Sequence, residues 1–74
     1  MAKKMVMIDI DGILNMTDKS VCVDVGEGRY NGVWVPLSQI EGIKEMSDEE
    51  FGEWCAETKE ITIPEWLAVQ AGLV

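Results

Sequence analysis

A chain of 74 residues makes a single domain, and folding at this size buries only about 60% of the surface the unfolded chain exposes. Fourteen acidic residues against six basic ones give a net charge of -8, which disfavours binding to nucleic acid phosphates, where Lys and Arg must displace counterions. Histidine is absent, which removes the usual general base near neutral pH and any zinc centre that relies on imidazole.

Met1-Ala2-Lys3-Lys4 has the charge of a signal peptide, but Asp9 and Asp11 interrupt the apolar stretch such a peptide needs. The N-terminal segment is therefore expected to belong to the fold. No apolar run approaches the roughly 20 residues of a membrane span. Cys22 and Cys55 stand far apart, too few for a four-thiolate metal site. A cytoplasmic protein without cofactor or metal is expected, with its oligomeric state left open.

Within Met5-Val6-Met7-Ile8-Asp9-Ile10, the residues Val6, Ile8 and Ile10 fall on one face, the period-2 pattern of a half-buried strand. Gly12 offers a bend, after which the pattern resumes through Leu14 and Met16. Val21, Val23 and Val25 alternate along a second strand over 20–25. Gly26 to Gly32 is rich in turn residues and predicts a hairpin loop, with Arg29 and Tyr30 at its tip as candidate partner contacts. Val33-Trp34-Val35-Pro36-Leu37 completes an antiparallel meander, with Pro36 ending the strand. Of Tyr30, Trp34 and Trp66, two are expected in the core of so small a domain.

Ser47-Asp48-Glu49-Glu50 is an S-x-x-E capping box, flanked by Met46 and Phe51 at the positions of a hydrophobic staple. Phe51, Trp54, Cys55 and Thr58 then recur at helical spacing, predicting a helix over about 48–58. Gly52 weakens it by about 1 kcal/mol relative to alanine, so docking of Phe51 and Trp54 must hold it. Residues 60–63 predict a fourth strand. Pro64 and Glu65 then open a short helix over 64–71 that ends at Gly72, with Trp66, Leu67 and Val69 as expected core contacts. The sum is an α+β domain in the order β-β-β-α-β-α, its antiparallel sheet curved toward a small SH3-like barrel.

Two motifs bear on chemistry. Residues 7–14 resemble the first motif of haloacid-dehalogenase-type phosphatases, in which Asp9 would be the nucleophile and Asp11 the general acid. Ile13 replaces that family's threonine, and the chain is far too short for its fold, so outward residues of a strand and turn describe the pair better. A calcium loop also fails, because acid or amide is missing at position 13 and glycine at position 14. No nucleophile–base pair can be assembled, and a binding protein is expected in place of an enzyme.

Acidity is concentrated late in the chain. Asp48, Glu49, Glu50, Glu53, Glu57, Glu60 and Glu65 face Lys59 alone within residues 47–74. On a wheel of about 100° per residue, Glu49, Glu53, Glu57 and Glu60 fall within roughly 80° of one another, opposite Phe51 and Trp54. Such a stripe serves either as a solvated face or as an anionic surface for a cationic groove on a partner.

Val33-Trp34-Val35-Pro36-Leu37-Ser38-Gln39-Ile40-Glu41 and Ile61-Thr62-Ile63-Pro64-Glu65-Trp66-Leu67-Ala68 together cover about a third of the 74-residue chain. The pairing resembles small bacteriophage- and prophage-encoded proteins that join a W-x-P-x-S-Q-I-E strand end to an I-T-x-P-E-W-L-A helix start. The resemblance implies a phage-like origin and carries no catalytic residue. With the charge, it leads to the expectation of a small acidic protein that binds a host protein, such as an anti-CRISPR or anti-restriction inhibitor. A self-assembling accessory module and a small-barrel single-strand nucleic-acid binder using Lys3, Lys4, Lys19 and Arg29 are the alternatives.

Overall fold

Val6 and Ile8 point inward from a strand, β1 (Met5–Asp9), that leaves Met7 and Asp9 exposed, as the period-2 pattern requires. The computed structural model describes residues 4–26 and 32–73. β1 is followed by β2 (Gly12–Met16), β3 (Ser20–Asp24) and β4 (Val33–Pro36). Two 3-10 turns at Leu37–Gln39 and Ile43–Glu45 then lead to helix α1 (Asp48–Glu57), strand β5 (Glu60–Pro64) and helix α2 (Glu65–Gln70).

The strands form two antiparallel sheets, β1-β5 and β2-β3-β4. This differs from the single curved sheet expected from the sequence. The meander is present, but its first strand is β2, while β1 pairs with β5 from Met5 opposite Pro64 to Asp9 opposite Glu60. The order is thus β-β-β-β-α-β-α, and the described strands do not close into a barrel.

The cause lies at Ile10-Asp11. The Ile10 N–H donates to the Lys59 carbonyl at 2.9 Å and continues the β1/β5 ladder, whereas the Asp11 N–H donates to the Asp24 carbonyl at 2.6 Å and starts the β2/β3 ladder. Successive amides serve different sheets, so the chain turns a corner there. A register shift between Ile13 and Asn15 then breaks the alternation expected to run on through Leu14 and Met16.

One core joins the inner faces of both sheets. Ile8, Ile10, Ile61 and Ile63 from the first meet Val21, Val23 and Val35 from the second, with Ile40, Leu67 and Ala68 completing the cluster. In α2 the buried pair is Leu67 and Ala68, whereas Trp66 and Val69 are 53% and 59% exposed. Two turns of helix present only one stripe to a sheet, and Leu67 and Ala68 occupy it. Trp34 is also 49% exposed, on the face of β4 opposite the buried Val35. The expectation that two of the three aromatics lie in the core is corrected for both tryptophans.

Helix α1 begins where the capping box places it. Ser47 Oγ accepts from the Glu50 N–H at 3.2 Å, and Glu50 Oε1 accepts from the Ser47 N–H at 3.3 Å. The helix packs against β2, an edge strand of its sheet. Phe51 and Trp54, stacked with ring centroids 5.8 Å apart, are half-buried against the core. Gly52 is exposed, and a Cβ added there meets nothing within 4 Å. Gly52→Ala should therefore stabilise the domain by about 1 kcal/mol, read as a rise of roughly 5 °C in Tm by circular dichroism.

Candidate partner-binding site

Ten residues of α1 carry Asp48, Glu49, Glu50, Glu53 and Glu57 and no basic side chain. At 1.5 Å per residue the helix is about 15 Å long, so it holds one carboxylate per roughly 3 Å. A single DNA strand carries one negative charge per about 3.4 Å of helix axis. The line density of charge on α1 is thus that of one nucleic acid strand.

Glu49, Glu53 and Glu57 are all exposed on the helix, as expected. Glu60 is not part of it. α1 ends at Glu57, with the Thr58 N–H donating to the Trp54 carbonyl, and Glu60 opens β5 opposite Asp9. The wheel extended an ideal helix through residues that had already turned into a strand. Glu50 takes the vacated place: on the true helix Glu49, Glu50, Glu53 and Glu57 share an arc of about 100°. Its part in the capping box pointed to a structural role and hid this one. Arg29 and Tyr30, the hairpin-tip candidates, lie outside the described residues.

Helix energetics explain only half of this charge. Asp48, Glu49 and Glu50 sit in the first turn, where the helix dipole favours anions. Glu53 and Glu57 gain nothing there. Glu49–Glu53 and Glu53–Glu57 are like-charged i,i+4 pairs, and the last turn contains no cation to offset its negative end. Lys59 is the nearest cation in sequence, but its ammonium donates to the Asp11 carbonyl at 2.9 Å. Glu57→Lys should therefore stabilise the fold by about 1 kcal/mol, because the introduced ammonium pairs with Glu53 and complements the helix end. Urea titration would check it.

Two hollows adjoin the acidic face. One of about 350 Å³ is lined by Met46, Glu50, Glu53, Trp54, Glu57 and Thr58. The other, about 460 Å³, is lined by Met16, Leu37, Ile43, Met46 and Phe51 together with Thr17, Asp18 and Asp48. Met46 belongs to both.

Elsewhere the geometry offers less. Asp9 and Asp11 are exposed at the corner between the sheets, and β1 pairs antiparallel with β5. Among the described residues no three His, Cys, Asp or Glu side chains are grouped to hold a metal ion. Burial pushes the Cys55 thiol pKa up, which keeps it protonated and weakly nucleophilic near neutral pH. No helix is long and apolar enough to cross a membrane among the described residues.

No protein-family model matches this chain, and neither curated proteins nor solved structures give a match. The stretches 33–41 and 61–68 meet in the fold, where the Glu41 N–H donates to the Thr62 carbonyl at 2.9 Å. They build the scaffold, and α1 lies between them in the chain.

Proposed function

We propose that this protein is a non-enzymatic binder of a host protein, and that α1 occupies a cationic groove the host uses for nucleic acid. Inhibition of a defence complex such as a CRISPR or restriction machine follows from that occupancy. The observation that carries the reading is the run of five carboxylates in ten helical residues, two of which, Glu53 and Glu57, cost the helix stability. The phage-like sequence stretches give the reading its context. Attraction between opposite surfaces accelerates encounter and is weakened by salt, because the Debye length shrinks from about 10 Å at 0.1 M to about 3 Å at 1 M. Capture of a partner by the tagged protein from bacterial lysate should be strong at about 0.1 M salt and largely lost at about 0.5 M. A partner retained in full at the higher concentration rules out charge mimicry.

Self-assembly is a second reading, favoured by one observation. Met7 on the outer face of β1 is 62% exposed, and Trp66 and Val69 are exposed on α2. Sedimentation of the isolated protein separates the two, since the binder reading needs no oligomer.

A further inference from the structure

We infer that the joined hollows beside α1 form one acid-edged apolar groove that takes a basic amphipathic segment of the partner. This rests on the binding role proposed above and names the chemistry of the segment bound.

Met46 lines both hollows, with Ile43 and Phe51 lining one beside it and Trp54 the other. The Phe51 and Trp54 rings are stacked on each other and half-buried, which ties the two hollows together. Carboxylates line both hollows: Asp18 and Asp48 the first, Glu50, Glu53 and Glu57 the second. No Lys or Arg lines either hollow among the described residues. Lys44, next in sequence to Ile43, instead lines a separate hollow with Glu45, and Lys19 is exposed in the β2–β3 turn.

A surface of this kind selects by two properties at once. The methionines and aromatic rings accept apolar side chains of varied shape. The carboxylates accept Lys and Arg, and the ring faces add a further attraction for cations. A segment with apolar residues at i, i+3, i+4 and i+7 and cations on the flanks satisfies both, as in the helix-in-groove mode. Polyanions and anionic lipid surfaces meet repulsion along the same edges.

The test uses the full chain and a synthetic peptide of about 14 residues, roughly 21 Å as a helix, built from leucine and lysine at helical spacing. The control has the same composition in an order without that spacing. The amphipathic peptide should bind at least about tenfold more tightly than the control, a difference of about 1.4 kcal/mol. NMR amide shifts should concentrate at Ile43, Met46, Phe51 and Trp54. Met46→Ala and, separately, Ile43→Ala should each weaken binding several-fold while the circular dichroism spectrum of the parent is retained, with a lower Tm expected for Ile43→Ala because Ile43 packs against the core. Equal affinity for the two peptides, or shifts centred elsewhere, overturns the groove. So does tighter binding to phosphatidylglycerol vesicles than to the peptide. If host-partner capture is lost on charge reversal of α1 but is unchanged in Met46→Ala and Ile43→Ala, the groove inference fails and the binding role stands.

Discussion

Replacing Glu49, Glu53 and Glu57 together by lysine is expected to abolish capture of the host partner while leaving the fold intact. The three side chains are exposed and make no ion pair among the described residues, so their removal breaks no native contact. The substitutions change the net charge from -8 to -2 and turn the partner-facing arc of α1 from anionic to cationic. Against a basic groove, each reversed charge replaces attraction with repulsion. Coupling energies measured for close charge pairs at a steered interface are about 1.5–7 kcal/mol, so loss of three removes about 4.5–21 kcal/mol against the roughly 8–12 of a micromolar to nanomolar complex. The effects on the helix nearly cancel. A lysine at position 49 opposes the dipole and one at 57 complements it, each by about 0.3–1 kcal/mol, and i,i+4 repulsion is the same for three lysines as for three glutamates. An unchanged Tm with undiminished capture would remove α1 from the interface.

Gly32→Ala should be the most damaging single substitution among the described glycines. Its φ of +71° lies in the left-handed region, which costs a residue with a side chain about 1–2 kcal/mol. A Cβ there falls 2.6 Å from Cys22 Sγ, 2.8 Å from the Val23 carbonyl oxygen and 2.9 Å from Leu14 Cδ1. The carbonyl belongs to β3, the central strand of its sheet, and has little room to give. Overpacking adds about 1–3 kcal/mol, for a total of roughly 2–5. A domain of this length has about 4–11 kcal/mol to lose, so Tm should fall by about 8–40 °C. Gly42→Ala is the control: its φ is +90°, but a Cβ meets nothing within 4 Å, so only the backbone contribution remains.

Local signals in the sequence were good guides, and long-range ones were not. The capping box at Ser47 and Glu50 located the start of α1, because its donors and acceptors lie within four residues. Strands β1, β3 and β4 followed from period-2 alternation. The partition into two sheets was hidden, because Leu14 and Met16 keep the parity of Val6, Ile8 and Ile10 although a corner and a bulge separate them. The two 3-10 turns between β4 and α1 left no pattern of their own. Tryptophan's size suggested burial, but Trp34 points away from the core because its neighbours Val33 and Val35 take the inner face. For the candidate site, helical spacing yielded Glu49, Glu53 and Glu57. Where the helix stopped decided between Glu50 and Glu60, and a wheel holds no information on that.

The corner at Ile10-Asp11 also bears on folding kinetics. Because β1 leaves the meander, it must wait for β5, and pairing Met5 with Pro64 closes a loop that contains almost every other element. Contacts so distant in sequence slow folding relative to a domain built from local contacts. The acidic helix lies inside that loop and docks on β2, a strand of the meander beyond the corner, within the same domain whose core β1 and β5 complete. A partner that recognises α1 on its platform, with β1 and β5 paired, binds the folded chain alone. Occupancy at a hundred times Kd would add about 2.7 kcal/mol to stability, and amides in β1 and β5 would then exchange with solvent more slowly although the partner touches neither strand.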